Sequence, residues 1–152
     1  MARAVDCGQL VVIEYLHEQQ NGDIGSFALS VACANGNLRV AEYIYHHTTS
    51  PQVQTSTVAK RGHLHIIKFL NDHNIPEFTT QTMDEAAIAG HLNIVKYLRA
   101  HRQEGCTTRA MTGAAENGHT EVVLYLRQYS YKYFFRSVFR SINSSNKICV
   151  VQ

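Results

Sequence analysis

At 152 residues, with 45% hydrophobic and 17% charged side chains, the chain has the composition of one ordered domain, with no room for a separate catalytic domain beside it. A formal net charge of +2 is too small to point to nucleic acid, and no apolar run approaches the length of a membrane span. Residues 1–7 lack the apolar core of a secretory signal, so an intracellular, cytoplasmic protein is expected.

In chain order the elements are paired around five glycines, Gly8, Gly36, Gly62, Gly90 and Gly118, spaced 28, 26, 28 and 28 residues apart. After each glycine the second, fourth, fifth, seventh and eighth residues are apolar in nearly every copy. Leu10, Val12, Ile13, Tyr15 and Leu16 fill them after Gly8, and Leu92, Ile94, Val95, Tyr97 and Leu98 after Gly90. The sixth is usually charged (Glu14, Glu42, Lys68, Lys96), which gives helical spacing with one polar stripe. Three and four residues before each glycine stand small or apolar side chains: Ala4 and Val5, Ala32 and Cys33, Val58 and Ala59, Ala86 and Ala87, Ala114 and Ala115. They let a second, shorter helix lie close to a neighbour, and the glycine suits the left-handed turn that ends it. Each repeat therefore reads as helix A, a tight turn and helix B.

The first repeat begins abruptly, with only seven residues before Gly8, so its helix A is expected to be truncated or to start at the initiator methionine. Between repeats lie short segments of turn chemistry, such as residues 20–25, 48–51, 71–76 and 102–108. Thr79, Thr80, Thr107 and Thr108 stand where helix A begins and are expected to cap it. One such helix pair cannot cover its own apolar face, so the pairs must stack. Each fully buried anchor of helix B then contributes roughly 1.5 to 3 kcal/mol before entropy, and the edge repeats are the weak points.

After Gly118 the pattern stops: a sixth copy would need a glycine near position 146, which is Asn146. Residues 130–152 form a non-repeat tail. In it Phe134, Phe135, Val138, Phe139 and Ile142 share one helical face, and Lys132, Arg136 and Arg140 recur on another. Three readings of this segment stand open: a helix capping the last repeat, an anchor to a membrane surface or acidic partner through Lys132, Phe134, Phe135, Arg136, Phe139 and Arg140, or a stretch without a selected role.

The run from Ala114 to Val123, with Glu116-Asn117-Gly118-His119, resembles the second half of the ankyrin repeat, and Ala86-Ala87-Ile88-Ala89-Gly90-His91-Leu92 agrees with it. The similarity covers roughly residues 1–129, as about five repeats, and is closest to a short ankyrin-type variant. The period is 26 to 28 residues where the ankyrin unit has about 33, and the Thr-Pro-Leu-His signature is absent: Gln81-Thr82-Met83-Asp84 and Arg109-Ala110-Met111-Thr112 stand in its register. The resemblance implies an all-α, ankyrin-like solenoid of stacked helix-turn-helix repeats with shortened inter-repeat loops and a C-terminal non-repeat helix. Leucine-rich and tetratricopeptide patterns fit worse, the latter needing a tryptophan that the chain lacks.

The function implied by that resemblance is a noncatalytic scaffold or adaptor that presents a concave surface of helix A and turn residues to another protein, as a monomer. The candidate contacts are Asn35, Lys60, Arg61, Gln81, Asp84, Ile88, Arg109, Thr112, Glu116 and Asn117. No nucleic-acid partner is expected, and a membrane only through the tail. Nine histidines invite a zinc reading, with His63, His65 and His73, or His46 and His47, as ligands. However, His63, His91 and His119 each follow a turn glycine directly, so a ring bonded to a neighbouring turn explains them without a metal. No catalytic residue and no cofactor is expected. Glu14, Glu42, Glu85 and Glu116 fall about one per helix and read as a solvated face. The four cysteines occupy non-equivalent repeat positions and read as free thiols.

Overall fold

The computed structural model describes residues 2–20, 26–49 and 51–128, and every regular element among them is an α-helix. In order these are α1 (Ala2–Asp6), α2 (Leu10–Gln20), α3 (Ser26–Ala34), α4 (Leu38–His46), α5 (Thr55–Lys60), α6 (Leu64–Asp72), α7 (Thr80–Ile88), α8 (Leu92–His101), α9 (Thr108–Glu116) and α10 (residues 120–128). The all-α expectation holds, and no strand occurs among the described residues. The tail, with Lys132, Phe134, Phe135, Arg136, Phe139 and Arg140, lies outside them.

The odd-numbered helices form one row, α1 against α3, α3 against α5, α5 against α7 and α7 against α9. In a second row α4 meets α6 and α6 meets α8, and within a repeat α3 packs on α4, α5 on α6 and α7 on α8. The small residues before each glycine make the first row possible: Ala32, Cys33, Val58, Ala59, Ala86, Ala87 and Ala114 are completely buried. Helix B supplies the larger anchors, among them Ile13, Ile44, Ile66, Ile67, Leu70, Ile94 and Val95, all completely buried. The polar stripe also couples repeats, since the ammonium groups of Lys68 and Lys96 lie 5.8 and 5.6 Å from the ring centroids of Tyr97 and Tyr125, one repeat on.

The inter-repeat segments do more than turn. Val53, Ile75 and Phe78 dip into the core, and the Arg102 guanidinium covers the Phe78 ring at 4.6 Å. α5 starts late, at Thr55, because Pro51 and the residues after it are non-helical. Its buried Thr55 hydroxyl then bonds the Glu77 carbonyl and the Thr82 hydroxyl, each at 2.8 Å. In repeat one Val12 and Tyr15 are 41% and 61% exposed, although Ile94, in the register of Val12, is 0% exposed.

Candidate interaction surface

The surface begins with the turns. All five turn glycines have φ between 68° and 85°, a conformation in which a side chain is strained. Each turn leaves helix A carbonyls without intrahelical partners, and the next repeat satisfies them. Asn35 donates to the Asp6 carbonyl at 3.5 Å and to its carboxylate at 3.2 Å, while Arg61 donates to the Ala34 carbonyl at 3.1 Å and to Asn35 Oδ1 at 2.7 Å. His91 Nε2 meets the Lys60 carbonyl at 2.9 Å, and the Asn117 amide donates to the Ile88 carbonyl at 2.8 Å. Asp6, Ala34, Lys60 and Ile88 all lie two residues before a turn glycine, so one bond recurs along the whole array. A carbonyl only accepts, which fixes His91 as the Nε2–H tautomer.

The residue after each glycine completes the contact. The rings of His63, His91 and His119 cover Gly36, Gly62 and Gly90 so closely that an added Cβ would lie 2.7, 2.6 and 2.5 Å from them. Asn37 plays this part over Gly8. The repeating histidines thus occupy the structural position that their register predicts. His65 adds a bond from Nε2 to the Gly36 carbonyl at 2.9 Å, and its ring lies 5.8 Å from that of His63. Burial, with the positive groups His65, Arg61 and His91 nearby, holds the His63 imidazole below its ordinary pKa, against a raising bond to the Ala34 backbone.

The other histidines serve helix B. His47, His73 and His101 place Nδ1 at 2.7, 2.8 and 2.9 Å from the carbonyls of Tyr43, Phe69 and Tyr97, and pack their rings on those aromatics. This second repeating pattern, an aromatic followed four residues later by histidine, is visible in the sequence at those positions and was not among the features expected to matter. His73 is therefore engaged with Phe69 and Tyr45, and not with His63. Among the described residues no group of three or more His, Cys, Asp or Glu side chains is placed to hold a metal ion.

On the helix A face the predicted contacts divide. Gln81, Lys60, Arg61, Arg109, Thr112, Glu116 and Asn117 are exposed, and Asn35 and Ile88 are half-buried. Asp84, expected at this surface, is only 3% exposed, and its carboxylate accepts the Thr107 amide at 2.8 Å and the Thr107 hydroxyl at 2.6 Å. Thr107 Oγ1 in turn accepts the Arg109 amide at 3.2 Å, so Asp84 fixes the cap of α9 instead of facing outward. Ile88 packs against Gly113, where an added Cβ would lie 2.6 Å away.

Glu85 corrects a second expectation. It is 9% exposed and does not belong to the solvated face; Arg109 lies 3.0 Å and Lys60 3.8 Å from its two oxygens, which ties α5, α7 and α9 together. Sequence reading also missed Phe27, 78% exposed at the rim of an open groove of about 470 Å³ lined by Ser30, Gln52, Val53, Gln54 and Glu77. The signal was present: Phe27 stands nine residues before Gly36, as Gln81 and Arg109 stand before Gly90 and Gly118. Buried Cys33, its thiol pushed up to about 12 by desolvation, is inert. No protein-family model matches this chain, and no curated protein matches it.

Proposed function

We propose that the chain is a noncatalytic protein-interaction module: an ankyrin-type solenoid with shortened inter-repeat loops, which presents its helix A face and turn edge to another protein. The observation that carries this reading is the side-chain ladder of the turns, in which Asn35, Arg61, His91 and Asn117 each reach back one repeat. Such bonds hold successive turns in one register, so residues far apart in sequence make a continuous preorganised surface. Phe27, Lys60, Arg61, Gln81, Arg109, Thr112 and Glu116 stand exposed along it. The hydroxyl–carboxylate pair of Thr107 and Asp84 is engaged in capping α9, which favours a structural role for it over a catalytic one. The proposed module acts as a monomer in the cytoplasm, a reducing compartment that suits the free, exposed thiols of Cys7 and Cys106.

Affinity capture with mass spectrometry tests the reading. The full chain is compared with a K60E/R61E/E116K variant, which reverses exposed charges on the turn edge, and with E42K, which alters an exposed charge on helix B. Partners retained by the wild-type chain and E42K, and lost from the triple variant, are the expected result. Partners held equally by all three would show that this surface does not mediate binding.

A further inference from the structure

Basic side chains are concentrated at one place on the turn edge. Arg61 and His65 are exposed, and His63 and His91 are half-buried beside them. The hydrogen-bond acceptors of Arg61, the Ala34 carbonyl and Asn35 Oδ1, are neutral, and the nearest carboxylate reached through them is Asp6, on the far side of Asn35. Lys60 adjoins the group, and Lys60 and Arg109 share the single carboxylate of Glu85, which leaves one net positive charge.

The position two residues before each glycine bounds the patch. Along the array it is occupied by Asp6, Ala34, Lys60, Ile88 and Glu116, acidic at both ends and basic in the middle. An extended polyanion laid along the edge would meet Asp6 and Glu116. A short acidic segment fits between them.

The histidines add pH dependence without rearrangement. Each of His65 and His91 uses one ring nitrogen as donor to a carbonyl of the preceding turn, at 2.9 Å. Protonation keeps that bond and converts the second nitrogen from an acceptor to a donor.

We propose that Arg61, His63, His65 and His91, with Lys60 at the margin, form a docking surface for a short Asp/Glu-rich segment of a partner protein, bound more tightly as pH falls. This rests on the interaction reading and adds the partner's chemistry to it. The groups around His63 are His65 on α6, Arg61 in its own turn, and His91 at the start of α8, all basic, with the Ala34 carbonyl opposite. Burial first, and then the repulsion of these groups, disfavours protonation of His63 in the free protein. A bound carboxylate offsets the repulsion, so binding takes up protons and strengthens through the imidazole range.

Fluorescence anisotropy of the full chain with a fluorescein-labelled hexaglutamate peptide tests this at about pH 5.5 and about pH 7.5, on either side of the ordinary histidine pKa. The peptide stays ionised at both, and about tenfold tighter binding is expected at the lower pH. H63Q/H65Q/H91Q removes that difference, and R61Q weakens binding at both pH values. H65Q, which alters an exposed ring, loses part of the difference and serves where the triple variant fails to fold, as judged by circular dichroism. Absence of binding at either pH, or a pH difference unchanged in H65Q, would overturn the proposal. Equal, equally pH-dependent binding of an oligothymidylate or of phosphatidylserine vesicles would overturn it too, in favour of a general polyanion surface. Partners captured by the wild-type chain and lost from K60E/R61E/E116K, with no hexaglutamate binding, would leave the interaction reading standing and remove the acidic segment.

Discussion

At the residue scale, the turn glycines are held by two separate constraints, and the array separates them. Gly62 has φ of 85° and a site where a Cβ would lie 2.6 Å from the His91 ring, whereas Gly118 has φ of 75° and, among the described residues, nothing within 4 Å of such a Cβ. Gly118→Ala carries only the left-handed strain, about 1 to 2 kcal/mol, while Gly62→Ala must also displace His91 from the Lys60 carbonyl. Urea denaturation should show G62A destabilised by about 1 kcal/mol or more beyond G118A. A second expectation concerns His63. Because its folded pKa lies below the unfolded value, the unfolded chain binds the proton more tightly. Its contribution is therefore fully present above about pH 6.5 and is lost as pH falls through the unfolded and then the folded pKa. H63N should flatten the pH dependence of the urea midpoint in that window.

At the element scale, one register position has different energies in different repeats. Val12 and Ile94 both stand four residues after a glycine, but Val12 is 41% exposed and Ile94 is 0% exposed. Ile94→Ala should cost about 2 to 5 kcal/mol, and Val12→Ala less than about 1 kcal/mol, measured by thermal or chemical denaturation. Amphipathic periodicity predicted both as buried. It describes the helix face and does not say whether a neighbour covers that face. The connecting segments teach the same lesson in reverse: Ile75 interrupts a run read as a polar turn, and Val53 and Phe78 stand just after two such runs, yet all three belong to the buried core, which a local pattern cannot reveal.

At the scale of the whole molecule, contacts run between neighbouring repeats, so stability should be graded along the array and not uniform. Helices α6 and α8 bury Ile66, Ile67, Leu70, Ile94 and Val95 completely, whereas α2 exposes Val11, Val12 and Tyr15. Native-state hydrogen exchange should therefore find the slowest amides in α6 and α8 and appreciably faster ones in α2. Equal protection throughout would mean that the repeats unfold as one cooperative unit.

The repeat register, the alternation of helix A and helix B, the turn glycines and the structural use of His63, His91 and His119 were legible in the amino-acid sequence. Each follows from local geometry: the 3.6-residue period, the positive φ that favours glycine, and recurrence at a fixed position. Only the tertiary structure distinguished Asp84 and Glu85, which are buried, from Glu42 and Glu116, which are exposed. The partners that decide this, Thr107, Arg109 and Lys60, lie on neighbouring repeats, 23 to 25 residues away in sequence. A carboxylate in a sequence carries its charge with it, but its burial depends on which donors the stacking of helices brings within reach.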